Sequence, residues 1–434
     1  MKRLVLALFA LLATGCSSRD NGTEIVIQRF FGECGAAYGA STDIAAADTE
    51  CGILTTLINK FEADNPDIGL KVNVVAWPGY AQLAAQIAAG DPPDLVTMHQ
   101  SVISDYQGRG LLDPMDGVLR QAAIHPSSFT PAARAGVLKD DQVFGLPWDT
   151  IGRLFHVNTK LMAQAGLMRD GKPVLPNSPE ELLQHARQFK QRTGKPYLIQ
   201  AHVNAPDFHV ALLYTYLLAQ NAALFPDDRH IRINTPEAQR IVTLFRQIHQ
   251  EGLTTRNQDF PAATASFIKG EGGLFPVGTW MLGPYIAEAA NPESPLYGSY
   301  GVVPFPRLWG ESASFVDGHA WVMPRAERTD KERAAISRFL RFLANYNYDW
   351  SRTGQLPAFQ AVVETARFQA LPHRADIAAL ATTGEQLPDY VQRQSAVQGL
   401  IGEELEAAVT GIKPVPQALA DAERRVNELY SRML

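Results

Sequence analysis

The chain has 434 residues, which is enough for about two to three domains. Hydrophobic residues make up 46% and charged residues 19%, a composition typical of folded, core-forming proteins rather than disordered ones. The formal net charge of −6 is spread without long runs of one sign, so nucleic acid is not expected as a partner. After residue 15 no apolar stretch approaches the roughly 20 residues of a membrane-spanning helix, which excludes an integral membrane protein for the bulk of the chain.

The first residues have the three-part layout of a secretory signal. Lys2 and Arg3 precede an unbroken apolar run over residues 4–12, and Ala13-Thr14-Gly15-Cys16 follows. Small residues directly before a cysteine resemble the bacterial lipoprotein box. We therefore expect a signal peptide over residues 1–15 and a polar tether over 16–22. A lipid on Cys16 would anchor the protein to a membrane, so that it lies in the periplasm or cell envelope. An ordinary signal cleaved nearby is the alternative.

Cys34 and Cys51 are the two cysteines that remain after Cys16. In an exported protein an isolated pair is most simply a disulfide, with free thiols as the alternative. The loop between them is small and polar, and closing it should contribute about 3 kcal/mol in the chain-entropy model. Two cysteines at this spacing without a nearby histidine fit no zinc pattern, so no metal site is expected.

The hydrophobic pattern then alternates between strands and helices. Strands are predicted over 24–31, 70–75 and 94–98, with helices over 53–61, 80–89 and from 102 onwards between and after them. This order predicts a parallel sheet covered by helices on both faces. A new series begins at 154–157, with helical patterns at 179–192, 209–220, 236–250 and 261–268, and the last part is mostly helical, including 334–343 and 417–434. We expect two α/β lobes.

Catalytic signatures and cofactor motifs are not found in the sequence. It holds no G-x-S-x-G, H-E-x-x-H, phosphate-binding G-x-x-x-x-G-K or C-x-x-C motif. Glycoside hydrolysis needs two carboxylates facing one cleft, and paired carboxylates such as Glu180-Glu181 lie on predicted helices where a solvated face is expected. The protein is thus predicted to be no enzyme and to need no cofactor. An exported carbohydrate-active enzyme remains the alternative.

Aromatic residues recur at strand ends and beside Gly or Pro turns. They lie in the segments 30–33, 77–80, 147–149, 278–280 and 318–321. In doubly wound folds the loops after the carboxyl ends of strands line the ligand crevice. A ring there can stack on the apolar face of a pyranose, although each of these aromatics could instead belong to the core. Together they favour a sugar-binding crevice.

Several segments resemble those of extracellular solute-binding proteins (family 1) of ABC sugar importers, the class that includes maltose- and trehalose-binding proteins. In order along the chain, the segments that carry this resemblance are LINKFEADNPDIGLKVNVV, YAQLAAQIAAGDPPDLVTM, VFGLPWDTIGRLFHVNTKLMAQAGL, FIKGEGGLFPVGTWMLGPY, YGVVPFP and RTGQLPAF. The resemblance implies a two-lobed periplasmic-binding-protein fold (type II) with a ligand between the lobes. Lobe 1 would comprise 23–145 with 317–375, and lobe 2 would comprise 146–316 with 376–434.

The resemblance also implies a function and a set of contacts. A monomer would capture a sugar, mono- or disaccharide, possibly an α-glucoside such as maltose or trehalose, and deliver it to the transmembrane subunits of an ABC permease. A sugar sensor or chemoreceptor partner with the same fold is the alternative. The expected ligand-binding residues are the stacking rings Trp148 and Trp280, the hydroxyl acceptors Glu33 and Asp149, the polar contact His99, and further Trp77, Tyr80, Gln100, Asp317 and His319.

Overall fold

The computed structural model describes residues 22–433, and its first half alternates strands and helices as the sequence predicts. The elements in chain order are β1 (Thr23–Arg29), α1 (Gly35–Tyr38), α2 (Glu50–Asp64), β2 (Ile68–Val74), α3 (Tyr80–Ala89), β3 (Leu95–His99), α4 (Gln100–Gln107), α5 (Asp116–Gln121), α6 (Pro131–Val137), β4 (Leu138–Lys139), β5 (Gln142–Val143), β6 (Leu146–Pro147) and β7 (Asp149–Asn158). Cys16, the expected lipid site, lies outside the described residues.

The middle of the chain has fewer long strands. Its elements are α7 (Thr159–Gln164), β8 (Met168–Arg169), β9 (Lys172–Pro173), α8 (Pro179–Thr193), α9 (Pro206–Leu218), α10 (Pro236–Gln250), α11 (Phe260–Ile268), β10 (Leu274–Gly278), α12 (Leu282–Ala290), β11 (Tyr300–Val303), β12 (Val316–Asp317) and β13 (His319–Val322). Short 3₁₀ turns occur at Ile44–Ala46, Pro126–Ser128 and Thr279–Met281.

The last part is mostly helical, as predicted. It contains α13 (Asp330–Asn345), α14 (Asn347–Ser351), β14 (Leu356–Pro357), α15 (Gln360–Val363), α16 (Ala366–Gln369), α17 (Arg374–Ile377), α18 (Leu380–Thr383), α19 (Gln394–Val409) and α20 (Val415–Ser431).

Local signals set the ends of the helices. Helix α3 ends at Gly90, which takes the left-handed conformation (φ 76°) and returns its N–H to the carbonyls of Gln86 and Ile87. Helix α10 begins after Thr235, whose hydroxyl accepts from the Ala238 N–H, with a proline in the first turn. Both helices therefore have the bounds that the sequence predicts.

The first sheet has the strand order β2-β1-β3-β13-β6. Strand β1 pairs in parallel with β2 and β3, as the alternating pattern predicts. Strands β13 and β6 are antiparallel to their neighbours, so the sheet is mixed rather than fully parallel. The physical reason is that β13 enters the sheet beside the carboxyl end of β3, with His319 opposite His99, and runs back along it.

The second sheet is built around β7. Strands β10 and β11 pair with its second half in antiparallel register, with Leu274 opposite Val157 and Val302 opposite His156. The first half of β7 pairs instead with β12, through Gly152 and Val316, and with β14, through Thr150 and Leu356. Strand β7 thus runs from one sheet into the other, and β12 and β14 cross beside it. We call this three-stranded crossing the hinge.

Two large hydrophobic clusters correspond to two lobes. One gathers buried side chains from residues 25–148 and 320–359, and the other gathers them from 155–308 and 391–430. A smaller cluster packs Phe368, Ile377 and Leu380 against Leu154 and Val302 of the second sheet. Residues 363–381 therefore pack beside the second lobe, although the sequence division places residues up to 375 in the first.

A disulfide closes the loop after β1. Cys34 and Cys51 are joined, as the sequence predicts, with their Cα atoms 6.0 Å apart. The Asn59 side-chain amide fixes the same loop by donating to the carbonyls of Gly39 and Ser41, at 2.8 and 2.9 Å. The first turn of α2, which begins at Glu50, is consequently held close to the end of β1.

Candidate functional site between the lobes

Strand β7 places two groups of polar and aromatic side chains along one side of the hinge. Residues two apart in a strand share a face, so Asp149, Ile151 and Arg153 point the same way. Asp149 contacts side chains of the first lobe, whereas Arg153 contacts rings of the second lobe. Four residues of strand span about 13 Å, which is the scale of a small sugar with its contacts. The space between these two groups is the candidate ligand site.

A histidine pair forms the first-lobe side of the site. The rings of His99 and His319, opposite each other on β3 and β13, have centroids 4.7 Å apart. Phe30, at the end of β1, stacks on His99 with a centroid distance of 5.5 Å and meets His319 edge-on. The carboxyl end of the central strands therefore presents a compact patch of aromatic and imidazole rings.

His319 is held by a buried carboxylate. Its Nδ1 lies 2.9 Å from Asp149 Oδ2, and its backbone N–H donates to Asp149 Oδ1 at 2.8 Å. The Trp350 indole N–H also donates to Asp149, at 2.7 Å. Burial alone would lower the pKa of His319, but the neighbouring carboxylates, above all Asp149, outweigh burial and raise that pKa above its ordinary value. The carboxylate of Asp149 therefore favours the protonated form of the buried His319 ring.

Tyr80 fixes the proton of His99. The His99 backbone N–H donates to the Tyr80 hydroxyl oxygen at 2.9 Å, and that oxygen lies 2.8 Å from His99 Nδ1. Among the described residues the hydroxyl has no other acceptor, so its proton points at Nδ1 and the ring proton is assigned to Nε2. Desolvation and then the nearby His319 lower the pKa of His99 well below its usual range. The neutral ring therefore offers an N–H donor.

Trp77 stands beside this pair with most of its ring uncovered. It is 68% exposed and meets His99 edge-on, at a centroid distance of 5.8 Å. Large aromatic side chains are rarely left this open in a soluble protein, and an exposed indole face can stack on an apolar surface of a ligand. The sequence predicts Trp77 as a contact, and its exposure is compatible with that role.

Trp280 lies on the second-lobe side of the site. Its ring folds back over the last residue of β10, and a Cβ placed on Gly278 would meet that ring at 1.7 Å. The Arg153 guanidinium lies 5.4 Å from the Trp280 ring centroid and 4.5 Å from that of Phe208. Arg153 also forms an ion pair with Asp207 at 2.7 Å. Trp280 is half-buried and packs against the hydrophobic cluster of the second lobe.

Three expected contacts lie beneath the surface instead. Trp148 has no exposed surface and packs against Trp350, with centroids 5.2 Å apart. Gln100 is 1% exposed and donates to the carbonyls of Asp149 and His319. Asp149 is itself fully buried among its three donor partners. Their placement does not fit direct sugar contact, because neighbours distant in the sequence cover them.

The two remaining carboxylates differ in how far they are engaged. Asp317 accepts from the backbone N–H and the hydroxyl of Ser101, at 3.0 and 2.6 Å, so it caps the first turn of α4. Burial raises the pKa of Asp317. Glu33 is exposed and accepts from the Gly35 N–H at 2.8 Å. Glu33 therefore keeps more of its acceptor capacity than Asp317.

Glu50 belongs to this site although the sequence does not single it out. Its Oε1 accepts from the Gln355 amide at 2.7 Å. Burial, reinforced by Asp149, raises the pKa of Glu50, while His319 and the Gln355 hydrogen bond oppose that rise. The only available signal in the sequence is its place directly before Cys51. The predicted disulfide ties the first turn of α2 to the loop after β1, residues 30–49, which we call the crevice loop.

Metal binding and membrane insertion find no support in the part of the chain that the structure describes. Within residues 22–433 no group of three or more His, Cys, Asp or Glu side chains is arranged to hold a metal ion. Across the same residues none of the helices combines the length and the apolar character that crossing a membrane requires.

Comparison with known proteins gives both a family and a fold. A family model described as bacterial extracellular solute-binding protein matches residues 56–376. The sn-glycerol-3-phosphate-binding periplasmic protein UgpB of Escherichia coli is 25% identical over 411 residues, covering 87% of this chain and 89% of that protein.

Two solved structures show the same fold at low identity. The GacH receptor of Streptomyces glaucescens, solved unliganded and with acarbose, has a TM-score of 0.77 and 16% identity, covering 94% of this chain and 99% of that one. The cyclic alpha-maltosyl-1,6-maltose binding protein of Arthrobacter globiformis has a TM-score of 0.74 and 20% identity, covering 95% and 100%. This chain therefore belongs to the bacterial extracellular solute-binding proteins and has their two-lobed α/β fold.

Proposed function

We propose that the protein is the substrate-binding component of an ABC sugar importer and encloses one sugar between its lobes. The observation that carries this proposal is the placement of two incompletely covered tryptophans, Trp77 on the first-lobe side and Trp280 on the second-lobe side of the candidate site. The imidazole rings of His99 on β3 and His319 on β13 lie on the Trp77 side, and the Arg153 guanidinium lies on the Trp280 side. Flat apolar faces combined with fixed polar groups are what a pyranose requires, because its ring has apolar C–H faces and a rim of hydroxyls.

Each contact has a proposed role. Trp77 and Trp280 stack on opposite ends of the sugar, and His99 donates from Nε2 to a ring or hydroxyl oxygen. His319 supplies a second N–H, and Glu33 accepts from a hydroxyl. Tyr80 acts through His99, whose proton it fixes on the outer nitrogen.

The ligand is proposed to be neutral rather than a phosphate ester. The relative UgpB is named for sn-glycerol-3-phosphate, whereas GacH was solved with acarbose. In this chain Asp149, Asp317 and Glu50 lie near His319, and the Arg153 guanidinium is already paired with Asp207. A phosphate dianion would meet these carboxylates, whereas sugar hydroxyls can donate to an acceptor such as Glu33.

Transport follows from closure of the lobes. A sugar that touches both sides of the hinge binds the closed form better than the open form, and its differential affinity sets how far the population shifts. The permease subunits are proposed to recognise that closed form. Cys16, once lipidated, would keep the protein at the membrane of the cell envelope where those subunits lie.

Calorimetric titration and thermal shift with a ligand panel test this proposal. The panel contains glucose, maltose, trehalose and sn-glycerol-3-phosphate. At least one sugar should bind and raise the melting temperature, since a ligand that binds only the native state stabilises it by mass action. Binding should weaken in Trp77→Ala but not in Tyr297→Ala, which removes another exposed ring, 54% exposed. A response to sn-glycerol-3-phosphate alone would overturn the sugar assignment.

The panel also separates binding from catalysis. A binding protein returns its ligand unchanged, so chromatography of each sugar after prolonged incubation should recover the starting material. Appearance of a cleaved or rearranged sugar would instead favour the carbohydrate-active enzyme.

A further inference from the structure

A hydrogen-bonded chain of three side chains runs through the hinge. The Thr279 hydroxyl donates to Gln355 Oε1 at 2.8 Å, and Gln355 Nε2 donates to Glu50 Oε1 at 2.7 Å. Thr279 directly precedes Trp280, Gln355 lies just before β14, and Glu50 begins α2. We call this chain the hinge relay. It joins the turn that carries Trp280, in the second lobe, to the first turn of α2, in the first lobe.

The backbone around the relay leaves little room for independent movement. A Cβ added to Gly283 would lie 2.7 Å from the Thr353 carbonyl oxygen, and one added to Gly354 would lie 2.4 Å from that of Thr279. Gly354 also has a φ of 121°, which side-chain-bearing residues rarely adopt. The crossing segment is therefore wedged against the turn that carries Trp280, so a shift of Gln355 moves that turn.

The relay has a fixed direction. Thr279 and Gln355 are buried, with 0% and 1% exposure, so each polar atom needs its partner. An ionised Glu50 only accepts, which turns the Gln355 amide nitrogen towards it and the amide oxygen towards the Thr279 hydroxyl. The second oxygen of Glu50, Oε2, has no partner among the described residues and is not enclosed. Glu50 lies close enough to His319 and Asp149 for their charges to act on it.

We infer that Glu50 binds a ligand hydroxyl through Oε2 and that Gln355 is its positioning residue, which couples that contact to Trp280. This inference rests on the proposed function and makes it more specific. A carboxylate near His319, whose ring centroid lies 4.7 Å from that of the N–H donor His99, fits a ligand that offers both a hydroxyl proton and an oxygen acceptor. That chemistry is a neutral sugar with neighbouring hydroxyls.

Calorimetric titration of relay variants with the sugar found in the panel tests the coupling. Glu50→Gln should weaken binding by about tenfold or more, because a hydrogen bond to a charged group is lost. Thr279→Val, which touches no ligand in this scheme, should weaken binding severalfold, and Thr279→Ser should restore it. Thr150→Val is the matched control, because the buried Thr150 hydroxyl in the hinge strand has no hydrogen-bond partner within residues 22–433 and is not part of the relay.

The double variant distinguishes a relay from two separate defects. In Glu50→Gln/Thr279→Val the losses should combine to clearly less than the product of the single effects, since both changes interrupt one network. The four melting temperatures without ligand should show the same non-additivity. Multiplicative losses of affinity together with additive shifts in melting temperature would overturn the relay.

The pH dependence of affinity identifies Gln355 as a positioning residue. Burial raises the pKa of Glu50, and the Gln355 hydrogen bond partly opposes this. Sugar affinity should therefore fall as the pH falls through that pKa, and Gln355→Leu should move the fall to higher pH. The affinity of Glu50→Gln should not fall in this pH range. His319 and Asp149 are the other titratable groups that face Glu50, and any pH dependence of affinity that they cause should persist in this variant. If sugar affinity falls at the same pH in Gln355→Leu as in wild type, the inference is contradicted.

Failure of the proposed function can be told apart from failure of the relay. If sn-glycerol-3-phosphate binds and the sugars do not, the sugar assignment fails and the same cycle is run with that ligand. If no panel member binds, the ligand-free melting cycle still decides whether Glu50 and Thr279 are coupled. Additive melting shifts would then reject the relay.

Discussion

Single residues in this site divide into rings that face solvent and rings that are covered, and the two kinds should respond differently to truncation. Trp77 is 68% exposed and Trp280 is half-buried, whereas Trp148 is fully covered. Truncating a ring that stacks on a ligand costs affinity. Truncating a covered ring leaves a cavity and costs folding stability instead.

Trp280→Ala should weaken sugar binding by about 2–3 kcal/mol, from loss of one stacked face at about 25 cal/mol per Å² and of the C–H contact with the ring. That is roughly a 30- to 150-fold increase in the dissociation constant by calorimetric titration. Trp148→Ala is the matched comparison, with an expected loss of about 3–5 kcal/mol in the free energy of unfolding. A Trp280→Ala protein that melts far below wild type yet binds with unchanged affinity would show that Trp280 is a core residue.

The His319–Asp149 pair should give the protein a pH-dependent stability. The pKa of His319 is raised in the folded state, so the stabilisation is fully present below the ordinary histidine pKa of about 6.5 and is lost as pH rises through the raised value. Melting of wild type between pH 6 and 9 should therefore fall more steeply than that of His319→Gln. His230→Gln, at an ion pair whose histidine side chain is 63% exposed, is the surface control and should follow wild type. Parallel curves for wild type and His319→Gln would contradict this assignment.

At the scale of elements, β7 and the first turn of α2 do most to define the site. Strand β7 supplies Asp149 to one lobe and Arg153 to the other, while pairing with β12 and β14 between them. Helix α2 begins at Glu50, and the disulfide at the next residue ties it to the loop after β1. The crevice loop and the start of α2 are thus expected to move as one unit.

Breaking the disulfide should loosen this unit. Intact-mass analysis of the exported protein should show a gain of two hydrogen atoms on reduction, and the free energy of unfolding should fall by about 3 kcal/mol in the loop-entropy description. The Cys34→Ser/Cys51→Ser variant should melt like the reduced protein and should not respond to reductant. Two freely alkylated thiols in the unreduced protein would contradict the disulfide.

At the scale of the whole molecule, two lobes with separate cores are joined through the hinge. The first cluster draws on residues 25–148 and 320–359 and the second on 155–308 and 391–430, so each lobe has a core of its own. Under the proposed function, a ligand that contacts both lobes would change which arrangement is populated, and the permease subunits would recognise that arrangement.

The membrane anchoring of the whole molecule is predicted from Cys16, the expected lipid attachment site. A Cys16→Ala protein should appear in the soluble periplasmic fraction, while wild type should fractionate with membranes and carry the added mass of lipid. Sugar affinity of the two proteins should agree, because the tether precedes the folded lobes. Continued membrane association of Cys16→Ala would show that another feature anchors the protein.

The sequence by itself determined the local elements and the order in which they occur. Helices α3 and α10 have their predicted bounds because glycine, proline and threonine act on the backbone within a few residues of themselves. The cysteine pair could be predicted because, once Cys16 is assigned to the expected lipid, two cysteines remain and they allow one pairing. The family could be recognised because its landmarks are short segments that keep their order along the chain.

Only the tertiary structure decided which polar and aromatic side chains reach the ligand site. Trp148 and Asp149 were predicted as contacts, but Trp350 and His319, about two hundred residues later in the sequence, cover them. Glu50 was missed because its partner Gln355 is 305 residues away. Local pattern determines whether a residue lies in a strand or a helix. Exposure and hydrogen bonding at a hinge depend on which distant segments cross there, and that is set by packing.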